Sequence, residues 1–391
     1  MGFKHQAESL DNFRNELKNL RHACGLSQGE VASKAGITRQ AVSSIESNLY
    51  LPTTAVALRL AHVLSCRVED LFSLARPIEP IQGVLVGRVA ERDPSSPPVR
   101  VKVAKVGSRI VVRPVMGLGD VLSCAVGADG YLTEAASHDE GETVDIMLSR
   151  DRQAVEQEIS VAGCDPAIFL VGEHMKKRKD QTSVVGWTMG SMAALRSLRR
   201  GEVHVAGLHL FDPATGESNL PFVRRALKGS AYDVVTFAIW EEGFLVRKGN
   251  PKSIRTAADL ADATVTLLNR EEGAGARLLL DRQLREAGMD PARVRGYDRV
   301  VSSHFEVARA IAAHQADVGI GIRSAAQYFD LDFVPLQCAR YDLVVPKAYL
   351  ASHPTLAHLF ETIVSRPFRD EIEALGGYDT SQTGTMHVLR T

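Results

Sequence analysis

Two sets of side chains in this 391-residue sequence stand at spacings that chemistry could use. One is a row of hydrogen-bonding residues, Arg39, Gln40, Ser43, Ser44 and Ser47, which a helical period brings to a single face. Such side chains pair with base edges in a DNA groove or with backbone phosphates. The other lies at three junctions where a strand pattern passes into a helix pattern: Gly163-Cys164-Asp165, Thr188-Met189-Gly190-Ser191 and Gly273-Ala274-Gly275-Ala276-Arg277. Helix N-termini offer free N–H groups and the positive end of a dipole, so they suit small anions. The Ser191 hydroxyl serves either a ligand or plain capping, and Gly273 and Gly275 read as a backbone nest. The Arg277 guanidinium could clamp a carboxylate or oxyanion, or bridge Glu271 or Glu272. Tyr341, in an extended run, could touch a ligand or pack in a core.

Other chemistry has no signature. There is no G-x-S-x-G, no phosphate-cradling glycine loop, no H-E-x-x-H and no His/Cys cluster at metal spacing. His204 and His209 have no acidic or histidine partner at ligand spacing, so satisfied histidines are expected. Cys164 reads as a small loop residue before it reads as a nucleophile. Five cysteines, odd in number and without a C-x-x-C pair, point to reduced thiols in a cytosol. With 45% hydrophobic and 24% charged residues, the chain has a globular composition. It shows no membrane span and no secretory signal, so a cytoplasmic protein is expected. The net charge of -1 carries no nucleic-acid signature, and the basic runs Lys176–Lys179 and Arg196, Arg199, Arg200 read as solvated faces.

The elements that must hold these residues define three modules, 1–76, 77–152 and 153–391. In the first, residues 11–22 have the period of an amphipathic helix capped by Asp11. Ser27 with Glu30 forms a capping box opening a second helix, Gly36 supplies the left-handed exit, and Thr38 caps a third. Ile37, Val42 and Ile45 bury that third helix, leaving the polar row outside. This all-α head, residues 25–48 above all, resembles the helix-turn-helix of lambda-repressor/Cro-like (XRE) regulators. The resemblance implies operator DNA as partner. It assigns base or phosphate contacts to Arg39, Gln40, Ser43 and Ser44, and a phosphate or backbone contact to Gln28; Thr38, the cap, and Ser47, on the exposed face, complete the expected DNA-binding set. Glu46, a carboxylate that phosphates would repel, is expected to be a structural partner.

Residues 81–150 change to short β-branched runs, among them GVLVGRVAE, VRVKVAKV, VLSCAV and TVDIMLS, separated by turn clusters. A small barrel or sandwich is expected. The segment 117–149 resembles the C-terminal β-domain of molybdopterin molybdotransferases, without their catalytic central domain. Beyond residue 153, strand and helix patterns alternate, which implies parallel sheets covered by helices. Two long extended crossings, near 237–247 and 336–346, resemble those of the two-lobed type II periplasmic-binding-protein fold. SMAAL, GLHLFDPATGESNLPFVRR, NREEGAGARLLLD and RYDLVVP further resemble domains related to periplasmic molybdate-binding proteins.

Together these readings imply a ligand-responsive, non-enzymatic transcription regulator, homodimeric and without a required cofactor. Its effector, held between the lobes by Cys164, Asp165, Thr188, Ser191, Gly273, Ala274, Gly275, Arg277 and Tyr341, is molybdate, tungstate or a molybdenum cofactor species. Two alternatives stay open. One is an amino- or organic-acid effector; the other is a molybdenum-cofactor handling factor or enzyme with autoregulatory DNA binding, which turnover of a molybdopterin substrate would reveal.

Overall fold

The computed structural model describes residues 13–74, 80–93, 95–118, 124–134, 136–177, 183–353 and 355–387. The chain divides into two compact units, Met1–Glu79 and Pro80–Thr391.

The first unit holds helices α1 (Leu17–Ala23), α2 (Gln28–Ala35), α3 (Arg39–Glu46), α4 (Thr54–Val63) and α5 (Val68–Leu71). The local signals act as their chemistry requires. Ser27 and Glu30 close a reciprocal capping box, Gly36 exits α2 at φ 65°, and the Thr38 hydroxyl accepts from Ala41 N. Leu17, Val31, Ala32, Ala35, Val42, Ile45, Leu60 and Leu71 form the buried core. The first helix differs from its expected span of 11–22. Phe13–Asn15 is instead strand β1, paired antiparallel with β2 (Phe72–Leu74), and α1 starts at Leu17. Pairing the entering and leaving chain satisfies backbone groups that one more helical turn would leave to water. The N-cap Glu16 makes no side-chain cap bond, and Asn15 Oδ1, one residue earlier, accepts from Leu17 N at 3.0 Å. The expected cap Asp11 lies outside the described residues.

In the second unit, β3 (Ile81–Leu85), β4 (Arg100–Val106), β5 (Arg109–Pro114), β6 (Gly130–Leu132) and β7 (Thr143–Leu148) close a barrel in the order β3-β5-β4-β6-β7. Cys124 and Ala125, expected in a strand, are helical, and residues 121–123 of that run lie outside the described residues. A buried ionic group fastens the barrel to the α/β part of the same unit. Lys102 Nζ stands 2.8 Å from Asp129 Oδ1 and 2.7 Å from Glu158 Oε1, and Arg150 contacts both carboxylates.

That α/β part makes up the remainder. Its strands are β8 (Ile159–Gly163), β9 (Val184–Thr188), β10 (Val205–Leu208), the hairpin β11 (Phe211–Asp212) and β12 (Glu217–Ser218), and β13 (Tyr232–Val246). They continue with β14 (Asn269–Arg270), β15 (Val300–Val301), β16 (Val318–Ile322), β17 (Asp332–Pro346), β18 (Tyr378–Asp379) and β19 (Met386–His387). One mixed eight-stranded sheet runs β16-β13-β17-β10-β8-β9, with β18 and β19 on β13. This corrects the expectation of two parallel sheets. Among the described strands of this part, only β9-β8-β10 and the small β14-β15 pair are parallel, because β13 and β17 traverse both lobes as an antiparallel pair of 15 residues each. These two crossings, expected near 237–247 and 336–346, join a first lobe around β8–β10 to a second around β14–β16.

Candidate functional site

On the head, α3 shows the expected division of labour. Val42 and Ile45 are buried, Arg39, Gln40 and Ser47 are exposed, and Ser43 and Ser44 are half-buried. Ser47 Oγ donates to Ser43 O at 2.9 Å, so its hydroxyl is tied to the helix end. Glu46 turns inward as expected. Arg21 grips it through Nε at 2.6 Å and Nη2 at 3.1 Å, and Gln28 Nε2 donates to it at 2.9 Å. The Gln28 side chain therefore bridges α2 to α3, leaving only its second N–H to donate to a phosphate.

In the α/β part the three junctions do converge. The Ser191–Arg199 and Gly275–Glu286 helices meet end to end across the lobes: Met192 N donates to Gly273 O at 3.2 Å, and a Cβ added at Gly190 would stand 3.0 Å from Ala274 Cα. Cys164 and Asp165, at the end of β8, are buried in the same region. Thr188 ends β9 half-buried.

Three assignments need correction. Arg277 is not a free clamp: its Nε reaches Asp281 at 3.2 Å, one helical turn on, and its guanidinium lies 3.9 Å over the Tyr297 ring. The Ser191 hydroxyl accepts from His209 N at 3.1 Å and so positions the chain after β10. Tyr341 is a core residue. Its Oη would overlap a Cβ at Gly163 or at Gly207, so both glycines exist to admit it.

The guanidinium that does reach the inter-lobe region belongs to Arg270, at the end of β14. It is buried, with Nε 2.9 Å from Glu271 Oε2, and Nη2 3.2 Å from Glu271 Oε1 and 2.8 Å from Ser302 O; its Nη1 has no partner. The Glu271 carboxylate extends to the N-terminal end of the Ser191–Arg199 helix, where Oε1 lies 2.8 Å from a Cβ added at Gly190. The protein thus places its own carboxylate between a guanidinium and a helix N-terminus, a position that favours negative charge. The sequence signal for Arg270 was a charge directly after the apolar run TVTLLN, ahead of the glycine turn.

Around it lie buried polar atoms lacking aligned partners: Asp165 Oδ2, Trp240 Nε1 and one nitrogen of His304. Native interiors leave few such atoms, so their concentration marks a site. His209, expected to be satisfied in a core, stands here instead, with Nε2 3.1 Å from Cys164 Sγ and Nδ1 2.9 Å from Glu242 Oε1. Burial disfavours its cation, but Cys164 and Glu242 outweigh that and push it up to about 10. His304 is held neutral, first by burial and then by the charges of Arg270 and His209. His204, by contrast, is satisfied as expected: Nδ1 accepts from Ser160 N at 3.0 Å, and Nε2 meets Lys105 O at 2.9 Å. A cavity of about 250 Å³ adjoins His209 and Gly275, bounded by Phe211, Phe222, Arg282 and Gln337.

Asp165 gives this region a pH signature. Burial raises its carboxyl from 3.8 to about 6, although Ala167 N and Tyr378 Oη donate to it. An acid whose folded pKa is raised holds its proton more tightly when folded. Its stabilisation is complete below pH 3.8 and is lost as pH rises toward 6. That loss amounts to about 3 kcal/mol. Asp165→Asn should therefore melt higher than the wild type at pH 8 and flatten the stability curve between pH 4 and 6. Parallel curves for the two proteins across that range would refute the assignment.

Comparison with known proteins gives the same division. The helix-turn-helix family model matches residues 17–71, and that of the PBP superfamily domain matches residues 172–364. Over 233 residues the chain is 34% identical to the uncharacterized protein YvgK of Bacillus subtilis (strain 168), spanning 60% of this chain and 74% of YvgK. Over 61 residues it is 38% identical to the uncharacterized HTH-type transcriptional regulator YgzD of the same organism, spanning 16% of this chain and 92% of YgzD. Among solved structures, a putative phosphate ABC transporter substrate-binding protein from Clostridium perfringens is similar at TM-score 0.43 and 14% identity, over 56% of this chain and 98% of that one. The tungstate ABC transporter from Geobacter sulfurreducens is similar at TM-score 0.41 and 15% identity, over 56% and 98%. Similarity at these scores transfers no ligand.

Proposed function

From a chain that belongs to the family of YvgK and joins a helix-turn-helix DNA-binding domain to a PBP superfamily domain, we propose an effector-responsive transcription regulator of the cytoplasm. It reads operator DNA through α3, with Thr38, Arg39, Gln40, Ser43, Ser44 and Ser47 facing the groove and Gln28 bracing the helix. A homodimer is the working form, because one small head covers one half-site and this class reads two. The effector binds between the lobes and is a small oxyanion, molybdate or tungstate first. It alters operator affinity to the extent that its own affinity differs between the DNA-competent and DNA-incompetent states.

The observation that carries the effector reading is the Arg270–Glu271 pair at the N-terminal end of the Ser191–Arg199 helix. The internal carboxylate marks a place where guanidinium and helix dipole hold an anion, and an incoming oxyanion would displace it. Arg270 takes the ligand role first assigned to Arg277. The planar two-point hold on Glu271 also favours a second reading, an organic or amino acid whose carboxylate replaces that of Glu271.

Calorimetry on the full chain with molybdate, tungstate, sulfate and a panel of amino and organic acids separates the two. Glu271→Gln weakens the internal competitor, so the true effector should bind about tenfold tighter, a gain of about 1.4 kcal/mol. Operator affinity measured with and without the same ligand should shift. Heat from an organic acid, with none from any oxyanion at millimolar concentration, would replace the first reading by the second. No ligand tightened by Glu271→Gln would remove both.

A further inference from the structure

The same inter-lobe region contains a grouping that the Arg270–Glu271 pair does not involve. The donor atoms of Cys164, His209 and His304 all lie within 4.8 Å of one another, and all three residues are buried. We propose that these three side chains bind a borderline-soft transition ion of the zinc class, and that the ion ties the two lobes together.

The donor set is one thiolate sulfur and two imidazole nitrogens. This combination suits zinc, cobalt and related ions, and offers nothing to the hard, oxygen-seeking magnesium or calcium. Zinc–ligand bonds of about 2.0–2.3 Å require donors about 3.5 Å apart, so the grouping must contract by about an ångström at its widest. The Cys164 Sγ to His209 Nε2 contact, at 3.1 Å, is already at that separation.

The surroundings support the assignment. Glu242 lies 2.9 Å from His209 Nδ1, and a carboxylate there keeps that nitrogen protonated and turns Nε2 toward the ion. The ion replaces the one proton shared between Cys164 Sγ and His209 Nε2. A divalent charge is then balanced by the thiolate and the Glu242 carboxylate, leaving the buried group neutral. His304 is the decisive member. It is fully buried; a backbone hydrogen bond to Ile320 occupies one ring nitrogen at most, and the other has no hydrogen-bond partner. A histidine buried for packing alone would be satisfied, as His204 is on both nitrogens. Coordination supplies what His304 lacks.

Placement supplies the consequence. Cys164 follows β8 and His209 follows β10, both in the first lobe, whereas His304 opens the His304–Ala312 helix of the second. An ion bound to all three holds the lobes closed, so metal would act on the lobe equilibrium independently of any anion.

The test uses the full chain, stripped by a chelator and titrated with Co²⁺ and then Zn²⁺. One equivalent of Co²⁺ should produce tetrahedral visible bands and a near-ultraviolet thiolate-to-cobalt band, and Zn²⁺ should displace it and raise the melting temperature. Cys164→Ala should abolish the thiolate band. His304→Asn keeps the thiol and should weaken binding, and Glu242→Gln should weaken it about 10- to 100-fold. Metal-free melting and circular dichroism identify any variant that fails to fold, and the remaining variants then decide. Absence of the thiolate band in the wild type overturns the proposal. So does a band that persists in Cys164→Ala, because the ion would then sit on Cys24, Cys66, Cys124 or Cys338.

Discussion

Arg21→Met should unfold the DNA-binding head while leaving the second unit intact. The substitution keeps the side-chain volume and removes the partner of Glu46, whose carboxylate is almost fully occluded. Breaking an occluded ion pair from one side costs roughly 3–5 kcal/mol. The pair is shallow, inside a very small domain, so the lower end of that range applies. Gln28 still donates to Glu46 but cannot neutralise it. A domain of this length has only several kcal/mol of stability in total, so most of it is consumed. The expected result is two-step melting with an early first transition, loss of operator binding at physiological temperature, and unchanged effector affinity. Normal operator binding by Arg21→Met would mean that Glu46 does not depend on Arg21.

Lys102→Met should cost the second unit roughly 3–5 kcal/mol by the same reasoning, here at full depth. Lys102 is the buried cation between Asp129 and Glu158, both fully buried, and Arg150 alone cannot balance two carboxylates. Because Glu158 immediately precedes β8, the loss should appear first as separation of the barrel from the α/β part, detectable by limited proteolysis in the 150–158 region. Adding Glu158→Gln should recover part of the loss, because it removes one of the stranded charges. Unchanged proteolysis and melting in Lys102→Met would show that apolar contacts alone hold the barrel.

The head was legible in the sequence because its determinants are local. A capping box, a left-handed glycine and a second cap fall within twelve residues, Ser27 to Thr38, and each acts through backbone groups a few positions away. The inward turn of Glu46 was also readable, since a carboxylate on a phosphate-facing helix needs another partner. The same local reading misplaced the start of α1. A helical period continued back through residues 11–16, but β2, almost 60 positions later, recruits Phe13–Asn15 into a strand.

The α/β part divides differently. Its alternating patterns and two long crossings were visible, as were the three junctions that converge between the lobes. Which side chains work at that convergence was not. Arg277 looked free beside a glycine turn, but a helical period brings Asp281 under it and packing brings Tyr297 against it. Arg270, at the end of a strand, points where Arg277 was expected to point. Cys164, His209, Glu242, Arg270 and His304 are spread over 140 positions of sequence, and no spacing rule links them, because their proximity depends on how two lobes close upon each other. Sequence alone therefore determined the helix-turn-helix head and the alternating α/β part, through periodicity and capping. Tertiary structure decided the buried chemistry, because desolvated polar groups take their partners from whatever the fold places within about 3 Å.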